Sequence, residues 1–127
     1  MDHVNLIIVL ALIEYVFFIL VVGATRGKYG IEAPATTGNP QWERYFRIQT
    51  NTTEQLILFF PALYAFAFYV SPAWAFRLGL VFLLGRALYF FGYRKDGKNR
   101  MPGAVMTSLT SYILLVGALF GLIRKLF

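Results

Sequence analysis

Residues 43–55 read ERYFRIQTNTTEQ, and this polar string runs directly into the apolar residues 56–70, LILFFPALYAFAFYV. The junction predicts one helix whose first turns lie in water or among lipid headgroups and whose remainder enters a membrane. On such a helix Arg47, Asn51 and Glu54 are spaced i, i+4 and i+7, so a cation, an amide and a carboxylate share one face. That face suits a small zwitterionic ligand at the membrane edge.

The composition of the chain indicates an integral membrane protein. Of its 127 residues 58% are hydrophobic and 14% are charged, against about 25% charged in an ordinary soluble domain. Four apolar runs lie at residues 4–23, 56–70, 73–93 and 103–127, the second extended backward by its polar turns. Each is close to the roughly 20 residues that cross a bilayer. We therefore expect a single all-α domain over residues 1–127, built as a membrane bundle of four helices.

Basic residues cluster in the first and third connections between the apolar runs. In a four-helix hairpin topology these connections share one side of the membrane, and the positive-inside rule makes that side cytoplasmic, with both termini opposite. The basic residues of the cytoplasmic side are Arg26, Lys28, Arg44, Arg47, Arg94, Lys95, Lys98 and Arg100, and those of the other side are Arg77, Arg124 and Lys125. Since topology accounts for these charges, we expect no nucleic-acid partner.

The chain is poor in the side chains that carry sulfur and metal chemistry. It has no cysteine and a single histidine, His3. It therefore offers no thiol nucleophile, and it lacks the thiolate and imidazole ligands of a typical transition-metal site. We expect no bound metal, and any sulfur chemistry must be brought by a ligand.

A second polar set lies at the end of the third apolar run. Arg86, Tyr89 and Tyr93 are spaced i, i+3 and i+7, and Arg100 follows just past the predicted helix. Combined with the polar face of the second helix, these groups suit a molecule with carboxylates and an ammonium. Simpler explanations are an aromatic belt at headgroup depth for the tyrosines, and a topology signal or lipid contact for Arg100.

Two charged residues fall inside apolar runs. Arg86 is costly there unless it is paired, which predicts a structural ion pair with Glu54 or Glu14. Glu14 also raises a competing function, because a small multidrug transporter uses a carboxylate at mid-membrane for proton-coupled exchange of cations. A transporter of that kind predicts a polar site at the midplane, whereas the polar groups here concentrate at the rim and are mostly cationic.

Three segments resemble the signature segments of the membrane-associated proteins in eicosanoid and glutathione metabolism, the MAPEG family. They are PATTGNPQWE at 34–43, ERYFRIQTNTTEQ at 43–55 and LGLVFLLGRALYFFGYRKDGKNR at 78–100, and they occur in the family's order and spacing. The resemblance implies a homotrimer of four-helix subunits that binds glutathione, as co-substrate, between neighbouring subunits near the cytoplasmic face. It implies a detoxifying glutathione transferase acting on hydrophobic or lipid electrophiles, with reduction of lipid hydroperoxides as a second reaction.

The resemblance also implies a role for individual residues. Glu54 would pair with the α-ammonium of glutathione, Arg26 would come from the adjacent subunit, and Arg100 would be the catalytic residue that stabilises the thiolate. The residues assigned to glutathione binding are Arg26, Arg47, Gln49, Asn51, Glu54, Tyr89 and Tyr93.

One residue departs from the family pattern: Gln55 stands where the nearest members carry a tyrosine. The substitution removes a phenol contact with glutathione. The family also contains a member that binds lipid and activates a partner without conjugation, so a non-catalytic lipid-binding protein is the alternative function.

Overall fold

A computed structural model describes all 127 residues, which form four helices joined by connections and no strand. The helices are α1 (Asp2–Tyr29), α2 (Pro40–Tyr69), α3 (Pro72–Tyr93) and α4 (Met101–Leu126). The predicted all-α class is confirmed. By length and composition α1, α3 and α4 are apolar enough to span a membrane. The helix α2 is not among them, because polar residues fill its first half.

Local chemistry sets the helix boundaries. The side chain of Asn39 caps α2 by accepting hydrogen bonds from the backbone N–H groups of Gln41 at 2.9 Å and Trp42 at 3.1 Å. Ser71 caps α3 in the same manner, and a proline follows each cap at the first helical position, where its missing N–H costs nothing. At the other end of α1, Gly30 adopts the left-handed conformation that ends the helix, with φ of 69°.

The helices α2 and α3 form the centre of the bundle. Each packs against both α1 and α4, whereas α1 and α4 do not contact each other. Phe59 of α2 stacks on Phe82 of α3 with ring centroids 3.7 Å apart. Only 28 of the 127 residues are buried, and many large apolar side chains of α1 and α4 point outward, as expected for surfaces that meet lipid.

The first and third connections lie at the same end of the bundle, as the sequence predicts. The side chain of Gln41, at the start of α2, donates to the backbone carbonyl of Arg94 at 2.8 Å, and Arg44 donates to that of Lys95 at 3.0 Å. We call this the basic end. At the opposite end Asn5 of α1 forms a hydrogen bond with Tyr64 of α2. The eight basic residues of the two connections are therefore gathered on one side.

Candidate functional site

A polar cavity of about 310 Å³ opens at the basic end. It lies between the first half of α2, the end of α3 and the connection that leads into α4. The residues that line it are Arg47, Thr50, Asn51, Glu54, Tyr89, Tyr93 and Arg100. Six of these seven are candidates from the sequence analysis. The fold thus brings together the polar face of α2 and the polar set at the end of α3, which are distant in sequence.

The floor of the cavity is one face of α2. Arg47, Asn51 and Glu54 lie along it, as their spacing predicts. Sequence reasoning missed Thr50, which also lines the cavity and whose hydroxyl donates to the carbonyl of Arg47 at 3.2 Å. Thr50 is one helical turn from both Arg47 and Glu54, so the same periodicity could have found it.

The two tyrosines of α3 form the opposite wall. Tyr89 is 4% exposed, and its ring meets that of Tyr93 edge to face with centroids 5.4 Å apart. Such burial does not fit a belt residue at the lipid headgroups. The guanidinium of Arg100 lies 5.5 Å from the centroid of the Tyr93 ring, which brings this exposed arginine to the cavity.

A tight turn holds the segment that carries Arg100. The carboxylate of Asp96 accepts hydrogen bonds from the backbone N–H groups of Lys98 at 2.9 Å and Asn99 at 3.0 Å. Arg100 in turn donates to the carbonyl of Gly97 at 3.2 Å. The approach of Arg100 to the cavity thus depends on the geometry of this turn, and its remaining N–H groups are available to a ligand.

The buried Arg86 has partners other than those predicted. It is 1% exposed, and its guanidinium donates to Asn51 Oδ1 at 2.8 Å and to the hydroxyls of Thr52 and Thr107 at 3.1 Å each. It also lies 4.3 Å from the ring centroid of Tyr89. Neutral oxygens from α2 and α4 therefore surround the charge.

The prediction that Arg86 forms an ion pair with Glu54 or Glu14 is wrong, because neutral oxygens take the place of a carboxylate. Glu54 is exposed and faces the cavity, and Glu14 is not among the hydrogen-bond partners of Arg86. Hydroxyl and amide oxygens serve the two terminal nitrogens of the guanidinium, whose Nε has no partner, and they avoid the cost of burying a second charge.

The contact with Arg86 also fixes the orientation of Asn51. An arginine side chain has only donors, so the oxygen of the Asn51 amide must face it. Asn51 also lines the cavity. Its N–H₂ group is therefore left as a donor toward a ligand, and Arg86, outside the cavity lining, helps to define the site.

Two of the candidate residues do not reach this cavity. Gln49 is two positions from both Arg47 and Asn51, which places it on a different face of α2. Arg26, at the end of α1, donates to the carbonyl of Ala35 at 2.8 Å. Within a single chain neither residue lines the cavity.

The sequence matches the model of the MAPEG family over residues 4–120. The chain belongs to the MAPEG family. Microsomal glutathione S-transferase 2 of Homo sapiens is 38% identical to it over 112 residues, which cover 87% of the chain and 76% of that relative. Leukotriene C4 synthase of Cavia porcellus is 33% identical over 107 residues, covering 84% of the chain and 71% of the synthase.

A bacterial relative is more similar still. An uncharacterized protein of Synechocystis sp. is 48% identical over 121 residues, which cover 95% of the chain and 88% of that protein. Over most of its length this MAPEG chain is thus similar in sequence to relatives that include a glutathione S-transferase.

Proposed function

We propose that this MAPEG protein is a glutathione-dependent membrane transferase that joins the glutathione thiolate to hydrophobic electrophiles. The cavity at the basic end is the observation that supports the proposal. Glutathione carries two carboxylates, one ammonium and one thiol, and the cavity offers two arginines, one glutamate, an amide and two phenols. The charges of the site thus complement those of the tripeptide.

Each charged group of the cavity has a distinct role in this proposal. Glu54 pairs with the α-ammonium, and Arg47 binds a carboxylate, for which a guanidinium is well suited. Asn51 donates its N–H₂ group, held in place by Arg86. The hydroxyls of Tyr89 and Tyr93 complete the contacts with the peptide.

Arg100 is the proposed catalytic residue. A free thiol has a pKa of about 8.5 and is mostly protonated at pH 7, and a guanidinium beside the sulfur favours the anion. The thiolate then attacks an electrophilic carbon, forms a carbon–sulfur bond and displaces the leaving group. With a lipid hydroperoxide as oxidant, two glutathione molecules yield one disulfide, one alcohol and one water.

We further propose that three copies assemble in the membrane, each a single domain over residues 1–127. The cavity of about 310 Å³ is at the lower end of the roughly 300–1,000 Å³ typical of ligand sites, which fits a site that a second subunit completes. Arg26 and Gln49, which do not line their own chain's cavity, are the residues proposed to contribute across that interface. In this arrangement α2 also crosses the membrane, and the basic end faces the cytosol.

The test separates binding from catalysis in the protein purified in detergent. We expect conjugation of glutathione to an aryl halide, and we expect Arg47→Ala to weaken glutathione binding measured by calorimetry. Arg100→Ala should instead raise the pKa of the bound thiol, followed by thiolate absorbance against pH, with a smaller effect on affinity. Lys98→Ala, a nearby exposed cation outside the cavity, is the matched control and should change neither quantity.

Two outcomes would contradict parts of this proposal. Equal losses of affinity in Arg47→Ala and Arg100→Ala would refute the division of roles between the arginines. Glutathione binding without turnover of any electrophile or hydroperoxide would favour the non-catalytic, lipid-binding alternative. Gln55 bears on that alternative, because it replaces the family's tyrosine and lies outside the cavity lining. A transporter would instead show pH-dependent cation binding that Glu14→Gln abolishes.

A further inference from the structure

A second cavity, of about 300 Å³, lies at the end of the bundle opposite the basic end. It is formed by the C-terminal ends of α2 and α4, and its lining residues are Tyr69, Gly121, Arg124 and Lys125. Gly121 allows the two helix ends to approach closely, because a Cβ atom there would lie 2.6 Å from the carbonyl oxygen of Tyr69. The result is a concave site between helices that carries two adjacent cations.

No carboxylate side chain pairs with these cations. Neither α3 nor α4 contains an acidic residue, and α2 contains none after Glu54. The acidic side chain at this end is Asp2 of α1, a helix that does not contact α4. Arg124 and Lys125 are both exposed, so their charges are available to an anion.

Part of this arrangement has a structural explanation. The ammonium of Lys125 lies 5.2 Å from the ring centroid of Phe68 and 5.6 Å from that of Tyr69. The last turn of α2 has no basic residue of its own, so Lys125 also balances the negative pole of that helix. These contacts do not explain Arg124, nor why both cations border a cavity.

The outer surface of α4 indicates what kind of anion would reach the site. Val116 and Phe120 lie eight and four positions, respectively, before Arg124 on the same stripe of the helix. Their side chains are 51% and 66% exposed. An apolar stripe therefore leads along the membrane to the cationic cavity.

We propose that this cavity binds the phosphate of an anionic phospholipid, with the acyl chains lying along the Val116 and Phe120 stripe. Arg124 contributes a bidentate contact, Lys125 a point charge and Tyr69 a hydroxyl donor. Basic pockets between membrane helices bind anionic headgroups by the same combination of charges. The site is separate from the glutathione cavity, at the other end of the bundle.

The experiment measures phospholipid binding to the purified, intact protein by native mass spectrometry. Dihexanoyl phosphatidylglycerol should bind more tightly than dihexanoyl phosphatidylcholine. Because a basic residue near an anionic surface contributes about fivefold in affinity, Arg124→Gln with Lys125→Gln should weaken phosphatidylglycerol binding by about 25-fold. The exchange of Arg124→Lys with Lys125→Arg retains both charges and should keep most of the affinity.

Matched controls distinguish this site from its alternatives. Arg77→Gln removes a basic residue from the same end but outside the cavity, and it should leave the affinity unchanged. An equal loss in Arg77→Gln would overturn the proposal in favour of diffuse surface charge. Equal affinities for the two phospholipids would overturn it as well. So would loss of phosphatidylglycerol binding when glycerol 3-phosphate is added at the same concentration as the lipid, because the free phosphate would then bind as well as the lipid does.

Discussion

Replacement of Arg86 by methionine tests whether this buried arginine acts on the proposed glutathione site through Asn51. The variant removes the guanidinium while keeping most of the side chain's length. Two of its three oxygen partners, the hydroxyls of Thr52 and Thr107, also donate to backbone carbonyls four residues earlier, at 2.7 and 3.1 Å. Asn51 Oδ1, which accepts from Arg86 at 2.8 Å, is the partner whose orientation depends on the guanidinium.

The structure gives different magnitudes for stability and for binding. Three hydrogen bonds from a charged donor contribute about 1.5–3 kcal/mol each, but an apolar replacement also removes a desolvation cost of several kcal/mol. We expect the lost hydrogen bonds and the removed desolvation cost to offset each other, so that the free energy of unfolding changes by about 1 kcal/mol or less. Loss of one preset donor at Asn51 should weaken glutathione binding by about 1 kcal/mol, or about fivefold.

The assay is a double-mutant cycle on the glutathione dissociation constant, measured by calorimetry in detergent. If Arg86 acts through Asn51, the double variant Arg86→Met/Asn51→Ala should bind no more weakly than Asn51→Ala, to within about 0.5 kcal/mol. Thr107→Val removes a partner of Arg86 that does not line the cavity, and it should leave the constant unchanged. Additive losses in the double variant, or unchanged binding in Arg86→Met, would refute the reasoning.

Two further predictions concern the packing and the turn that frame the site. Gly103→Ala would place a Cβ atom 2.6 Å from the carbonyl oxygen of Gly85, so thermal unfolding in detergent should show a free energy of unfolding lower by about 1–3 kcal/mol. Gly23→Ala, where a Cβ atom meets nothing within 4 Å, is the control and should be neutral or stabilising by up to about 1 kcal/mol. Equal stability of the two variants would contradict the close approach of α3 and α4. Asp96→Ala frees the turn that carries Arg100 and should lower kcat for conjugation more than it raises KM, and a change in KM alone would show that the turn serves binding instead.

Much of the fold was predictable because local chemistry determines it. The apolar runs have the length of membrane helices, and the caps at Asn39 and Ser71, each followed by a proline, mark where α2 and α3 begin. The shared face of Arg47, Asn51 and Glu54 follows from the helical period alone. The same period explains why Gln49 does not reach the cavity of its own chain.

The partners of Arg86 were not predictable, because they depend on how distant helices pack. Thr52 and Thr107 lie 34 and 21 residues away in sequence, and both look like ordinary polar residues of a membrane helix. From the sequence, the partner of Arg86 was sought among residues of opposite charge, which favoured the carboxylates Glu54 and Glu14 and left neutral oxygens out. The burial of Tyr89 is likewise a result of tertiary packing, which spacing along one helix does not reveal.

The hydrogen bonds of Gln41 and Arg44 to the carbonyls of Arg94 and Lys95 have a consequence for how the protein meets bilayers of different thickness. Membrane helices adjust to a thinner or thicker hydrocarbon layer by tilting. Because these two bonds tie the start of α2 to the segment that leads to Arg100, we expect that segment to move together with α2. We therefore expect the span between Arg47 and Arg100 to depend on these bonds more than on the thickness of the surrounding bilayer.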